Sequence, residues 1–341
     1  MKLLASILLI LWLVPTWSAE PRVPLWGPAP SIKATPVALD SSDPARRTVG
    51  ALTYLGGWRL TSRDAAFGGI SSMSVAGDRF TMLSDYSLVT EFDLGARGAI
   101  SNVRFGELPS FFSTGWAKPD VDSESMARDP RTGVTWAGYE NWNAVVRFSS
   151  GFGHRTRAAR PRPMQGWDGN GGAESMVRLA NGAFLLLSER SHWPHARGRA
   201  GLWVAGDPTR PGVRGFRFAY LPPAGYDPSD AAVLPGGRLL ILNRRFALPF
   251  NFTAKLTMLD LKRIKPNALV RGQEVATLAA PLIHDNFEAL AVTREGDDTI
   301  LWIASDDNQL FLERTLLLKF RLDGADKRKA PAEAGANSSL H

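Results

Sequence analysis

The sequence predicts an all-β protein: a single β-propeller of five or six four-stranded blades, closed by an N-terminal strand. Three observations predict it. One segment pattern recurs five times along the chain. The second apolar run of each segment is continuous rather than alternating, as in strands covered on both faces. No stretch carries a convincing long helical period. A unit of roughly fifty residues with four strands has the size of a propeller blade. A pair of β-sandwiches is the rival architecture.

The five segments begin at Gly68, Asp122, Gly171, Asp227 and Asp285. Each has a polar opener, a short apolar step, a Gly-containing turn, an apolar run and a polar closer. The aligned openers are Ser71, Glu124, Glu174, Asp230 and Glu288, spaced by 53, 50, 56 and 58 residues. The apolar runs FTMLS, VTWAG, FLLLS, LLILN and ILWIAS are short and bounded by turns, which marks them as strands. SLVTEFDL, NAVVRF, GLWVAG, AKLTMLDL and RTLLLKFRL supply a further strand each. ISNVRFGEL and GFRFAYL are candidate fourth strands. After the fifth repeat only a polar tail remains, so that blade needs an outer strand from elsewhere. VGALTYLGGWRL can provide it and leave no free edge in the ring. A divergent sixth blade from residues 31–66 and the C-terminal strand is the alternative.

The ends read differently. Met1-Lys2 followed by the apolar run Leu3–Val14, then Pro15, Ser18 and Ala19, reads as a signal peptide over residues 1–19. That run is too short to span a bilayer as a helix. The expected location is therefore periplasmic or secreted, with no stable membrane span once the leader is removed. Residues 20–48 form a Pro-rich lead-in, 49–323 the propeller domain and 324–341 a disordered tail. The chain has no cysteine, which excludes disulfides and thiol catalysis. Its formal net charge is +7, which suits a small anionic or ester substrate. No nucleic acid is expected, because no binding motif or long basic helix is present.

The acids carry the chemistry. The first and last residues of a hairpin lie at the same end, across from each other. Glu174 and Glu189 should therefore meet, as should Glu124 with Glu140, Glu288 with Asp306, and Ser71 with Asp85. In the fourth repeat Asp230 is matched to Asn243, followed by Arg244-Arg245. Propeller symmetry then gathers an acid-rich ring at one mouth of the central channel. Crowded carboxylates need compensation. A hard cation such as Ca²⁺, interleaved arginines (Arg190, Arg244, Arg245) or backbone N–H groups can each supply it. The metal candidates are Glu124, Glu174, Glu189, Asp285, Glu288, Asp306 and Asp307; SDDN at 305–308 is the densest oxygen cluster.

Other candidates point mainly to surface or core. His192 and His195 flank Pro194 in a loop and lack a third zinc ligand. His284 precedes DNFE, within reach of acid–base chemistry. The basic stretch GHRTRAARPRP around His154 reads as a solvated loop. Trp116, Trp142, Trp167 and Trp193 fall between repeats, as a stacking rim or as core. The chain lacks a G-x-S-x-G elbow, a P-loop, H-E-x-x-H and a dinucleotide fingerprint.

FGGISSM with FTMLSD, GGAESM with FLLLSER, and DNFEALAV with ILWIASDDN and RTLLLKFRL resemble the phytase-like, esterase-like family of exported bacterial β-propellers. The resemblance covers residues 50–322, and the DNFE…SDDN…RTLLL block is its most specific part. Ser175 and Ala289 stand where that family has Gly after Glu, and Asp230-Ala231 matches weakly. The resemblance implies hydrolysis of phosphate or other esters, assisted by Ca²⁺. Any phosphatase chemistry would be metal-assisted, since the histidine-phosphatase pattern RHGxRxP is missing. The catalytic set is then Glu174, Glu189, Arg190 and Arg244. Glu174, Glu189, Glu288 and Asp306 hold the cation and orient water, and Arg190 or Arg244 holds the phosphoryl oxygens. Two alternatives remain. One is a lactonase-type propeller hydrolase; the other is a non-catalytic propeller that binds a glycan or an envelope protein.

Overall fold

The computed structural model describes Ser6 and residues 25–109, 118–169, 171–248, 251–308 and 313–324. The expected leader (Ser6 apart), Trp116 and the tail beyond Gly324 lie outside these residues. Three strands come first: β1 (Lys33–Pro36), β2 (Thr48–Val49) and β3 (Leu52–Thr61). Blade 1 is β4 (Ile70–Ala76), β5 (Arg79–Ser84), β6 (Leu88–Leu94) and β7 (Ile100–Glu107). Blade 2 is β8 (Ser123–Arg128), β9 (Thr135–Tyr139), β10 (Ala144–Phe148) and β11 (Arg155–Ala159). Blade 3 is β12 (Ala173–Arg178), β13 (Phe184–Ser188), β14 (Arg199–Val204) and β15 (Gly215–Tyr220). Blade 4 is β16 (Asp227–Leu234), β17 (Arg238–Ala247), β18 (Asn251–Asp260) and, after the short β19 (Leu269–Val270), β20 (Gln273–Leu278). Blade 5 is β21 (Phe287–Glu295), β22 (Asp298–Ser305) and β23 (Leu316–Leu322), with β3 as the next strand.

The blade number is five. Residues 31–66 do not make a sixth blade: β3 pairs antiparallel with β23, from Leu52 opposite Leu322 to Arg59 opposite Leu316. β1 then adds to the far side of β3. β19 lies parallel on β15, the outer strand of blade 3. The one α-helix beyond residue 25 among the described residues is the single turn Lys118–Val121. No helix there is long and apolar enough to cross a membrane.

Five apolar cores lie at the five seams between neighbouring blades, including the seam between blades 5 and 1. This explains the continuous apolar runs. In an extended strand successive side chains point to opposite faces. In β17, Leu239 and Ile241 enter the core shared with blade 3, while Leu240 and Leu242 enter the core shared with blade 5. In β13, Phe184 and Leu186 pack toward blade 2, and Leu185 and Leu187 toward blade 4. A strand with a seam on each side has no polar face to show. Trp167 and Trp193 belong to the core of blades 2 and 3, with ring centroids 5.9 Å apart, and form no stacking rim.

The inner strands β4, β8, β12, β16 and β21 follow one another around the channel, each beside its two neighbours. Side chains tie them together. Ser71 donates to the Ser123 carbonyl (2.7 Å), Ser125 to that of Ala173 (2.6 Å) and Ser229 to that of Phe287 (3.1 Å). Ser72 accepts from Met126 N–H, and Asp230 Oδ2 accepts from Leu290 N–H at 2.7 Å. Asp230 Oδ1 also takes the N–H of Ala231. Ser175 occupies the same place in blade 3, yet its hydroxyl is buried with no hydrogen-bond partner among the described residues.

Candidate functional site

Each inner strand carries a β-bulge near its start, where one residue has no opposite number on the next strand. The bulged residues are Ser71, Glu124, Glu174, Ser229 and Glu288. A bulge re-aims a side chain out of the regular ladder, here at one end of every inner strand. Across from it the position one residue past Ser84, Tyr139, Ser188, Asn243 and Ser305 holds Asp85, Glu140, Glu189, Arg244 and Asp306; in blade 4 the strand β17 runs on beyond it to Ala247. The expected pairing of openers and closers holds in four blades. In the fourth it is corrected: Asp230 sits one residue past the bulge and faces Leu242, while Asn243 faces Pro228. Ser229 takes the ring position, and Asp230 ties β16 to β21.

The result is a ring of acids into which blade 4 inserts a guanidinium. Arg244 donates through Nη2 to Glu189 Oε1 (2.8 Å) and through Nη1 to Asn286 Oδ1 (2.8 Å). The same Nη1 lies 2.8 Å from Glu288 Oε1. Burial works against the charge on Arg244, but Glu288, Glu189 and Glu174 raise its pKa further above the ordinary arginine value. Arg190 stands at the rim, half exposed, with Nε 3.0 Å from Glu189 Oε2. Arg245 is exposed and lies 5.3 Å over the Tyr226 ring, away from the acids.

A second group of acids lies in blade 2, across the ring from Arg244. Asp122, Glu124 and Glu140 are all buried, and each offers a carboxylate oxygen within 4.8 Å of the others. Asn141 donates to Asp122 Oδ2 at 2.5 Å. Burial pushes Glu124 well above the usual carboxylate range, and Glu174, Asp122, Glu288 and Glu140 push it further. Burial, then Asp122, lifts Glu140 to about 7. Glu174 is raised well above its usual value by burial and by Glu189, with Arg244 opposing. Asp306 is raised by burial and by Glu288. Glu288 is raised by burial while Arg244 pulls the other way. These shifts describe negative charge crowded in a poorly hydrated place, where either protons or a cation must be held.

The predicted site residues therefore divide. Glu124, Glu174, Glu189, Glu288, Asp306 and Arg244 lie together in the ring. Asp307 Oδ1 accepts from Gly69 N–H (2.9 Å) and its Oδ2 from Thr315 Oγ1 (2.7 Å), which fastens blade 5 to the entry of blade 1. Gly69 has φ +62°, and a Cβ there would come within 2.5 Å of Asp85 Oδ1, so only glycine fits between the two acids. Asp285 is buried against Arg314, 2.9 Å away, and its own following N–H. Nδ1 of His192 bonds the Gly198 carbonyl and Nδ1 of His284 that of Leu282, and neither ring belongs to the carboxylate cluster found among the described residues. The metal candidates read from sequence omit Asp122 and Glu140. Both carried a signal. Glu140 closes the hairpin that Glu124 opens, and Asp122 precedes Glu124 by two residues in an extended segment.

Residues 65–309, well over half of the chain, match the model of the phytase-like family, described as "Esterase-like activity of phytase". No curated protein matches the chain. Among solved structures, it is similar to Kuenenia stuttgartiensis hydrazine synthase at 12% identity and a TM-score of 0.36, covering 71% of this chain and 58% of that one. A structure described as a putative 6-phosphogluconolactonase from Bacteroides uniformis matches at 11% identity and a TM-score of 0.39, over 80% of this chain and 81% of that one. A luciferin-regenerating enzyme matches at 10% identity and a TM-score of 0.42, over 84% and 95%. The chain thus spans less than two thirds of the hydrazine synthase chain.

Proposed function

From the premise that this chain belongs to the phytase-like family, we propose that it is an exported hydrolase of phosphate or other esters that works at the acid ring with a bound divalent cation. The observation that carries the reading is the buried triad Asp122, Glu124 and Glu140, with three carboxylate oxygens in mutual reach. The donor set fits a hard cation such as Ca²⁺, which takes oxygen ligands and favours carboxylates. Asp122, Glu124 and Glu140 would hold it, with Glu174 adjacent. When bound, such a cation offsets the crowded charge and polarises an oxygen of the substrate or of water.

The chain's own residues supply the rest. Arg244, fixed by Glu189, Glu288 and Asn286, is a partly buried cation in the ring that can pair with an anionic substrate oxygen. Burial and Glu189 raise the pKa of Glu174, which favours its protonated form as a donor to a leaving oxygen. Glu140, near 7, can take up or release a proton in the same range. Export rests on the apolar leader of residues 3–14.

The test is a panel of an aryl phosphate, an aryl acetate and a lactone, assayed with and without Ca²⁺, beside calorimetric titration of metal-free protein with CaCl₂. We expect Ca²⁺ binding, and Ca²⁺-dependent turnover of at least one ester that falls at least a hundredfold in Glu124→Gln. Binding without turnover on any substrate would make this a binding module; neither binding nor turnover would remove the reading altogether. The proposal also takes β3 as the strand that closes the ring, supported by its register with β23. Amides of Leu52–Thr61 should then exchange as slowly as those of β22, and fast exchange there would contradict it.

A further inference from the structure

We propose that the wedge between blades 2 and 3 binds an acidic, extended peptide segment of a partner protein along the open edge of β11. This site lies at the outer rim and uses none of the ring residues. The cavity is about 730 Å³, within the range of built ligand sites. Arg160, Arg162, Arg210 and Arg217 line it, all of them exposed, and no carboxylate does. Leu202 and Val204 of β14 form an apolar part of its wall. The neighbouring wedges are mixed in sign. The one between blades 1 and 2, about 260 Å³, includes Glu91 and Glu107 with Arg104; the one beside β20, about 390 Å³, includes Glu274 with Lys255 and Arg271.

The arginines are not spent on internal ion pairs among the described residues. Arg217 lies 4.6 Å over the Trp193 ring and Arg160 6.0 Å over Trp142. These contacts orient the guanidinium groups without neutralising them. The carboxylate nearest along the chain, Asp207, is engaged by Trp136 Nε1, Thr209 and Arg147. Four cations without a counter-charge around an apolar wall favour an anionic ligand with apolar parts.

The edge decides which class of anion. β11 pairs with β10 and with no other described strand, and Ala158 and Ala159 line the wedge. The fold shows twice that its outer edges accept one more strand: β19 on β15, and β1 on β3. An extended peptide can satisfy the ladder edge, place alternate side chains on the accessible Pro211 and Val213 of the same lining, and offer carboxylates to the arginines. An acidic glycan or an oligonucleotide would call for aromatic platforms. Phe216 is the aromatic side chain in the lining, and it is already stacked on Trp203 at 4.9 Å.

The experiment uses the full chain and a fluorescein-labelled decapeptide of alternating Glu and Val, read by anisotropy. We expect saturable binding that weakens at least tenfold in Arg160→Glu/Arg162→Glu, with an unchanged melting temperature. The same decapeptide N-methylated on every peptide nitrogen should also bind at least tenfold more weakly, because it keeps its charge but cannot join a ladder. The proposal is overturned if the parent peptide does not bind, or if either change leaves its affinity intact. It is equally overturned if polygalacturonate or a ten-residue oligothymidylate competes as well per charge as the peptide does.

Discussion

Metal-free protein should lose thermal stability as the pH rises from 5 to 8, and millimolar Ca²⁺ should restore it at pH 8 while changing little at pH 5. The sign follows from the ring. Its carboxyls have pKa values raised in the folded state, by burial first and by one another second. A raised carboxyl stabilises the fold below its unfolded pKa, and that contribution is lost as pH rises through the folded pKa. For Glu140 the window runs from its ordinary 4.5 to about 7. A shift of that size corresponds to about 3 kcal/mol, shared among the interacting carboxyls, or roughly 5–10 °C in melting temperature for a domain of this size. A divalent cation at Asp122, Glu124 and Glu140 replaces the protons and removes the penalty. Melting curves at pH 5, 6.5 and 8, with EDTA and with Ca²⁺, check it. A metal-free melting temperature that stays flat or rises over this range would contradict the charge balance derived for the ring.

Arg244→Ala should cost about 3–5 kcal/mol at pH 7.5, because it leaves buried partners of a guanidinium without compensation. Three groups depend on that side chain: Glu189, Glu288 and Asn286. Arg244→Lys should recover only part of the loss, since one ammonium cannot reproduce a planar fork that spans three acceptors. The loss should shrink at pH 5, where the ring can take protons in place of the guanidinium. Denaturant unfolding of the three proteins at pH 5 and 7.5 measures this. An equal loss at both values would mean that Arg244 acts by packing rather than by charge. In the same variant, turnover of an anionic ester should fall further than that of a neutral one.

Much of this site was legible because the repeat is a backbone property that leaves a periodic mark. The continuous runs in β13, β17 and β22 identify strands with a seam on each side, and the hairpin rule brings Glu174 to Glu189. Arg190 and Arg244 looked alike in sequence and part company in the fold. Arg190 follows Glu189, the residue that closes its hairpin, and side chains that alternate in direction send it outward. Arg244 itself occupies the closing position and points in. The bulge register was not legible. DPSD offers an acid at Asp230, and residue type drew the alignment there, yet the backbone kinks at Ser229. The triad was partly legible: the hairpin rule brings Glu140 to Glu124, and Asp122 stands two residues before Glu124. What residue type and spacing did not reveal is that these three, among all the ring acids, come within mutual reach.

The splitting of each middle strand between two cores separates neighbourhood in sequence from neighbourhood in energy. Leu239 and Leu240 share a peptide bond but lie in different cores, whereas Leu240 and Leu301 lie in one core from neighbouring blades. The blade is therefore the unit that repeats, and the seam is the unit that holds. A change inside one repeat is felt across its border, so compatible substitutions should be sought in pairs that straddle adjacent repeats. A blade transplanted whole from a relative would carry its hydrogen bonds intact and bring two half-cores that match neither neighbour.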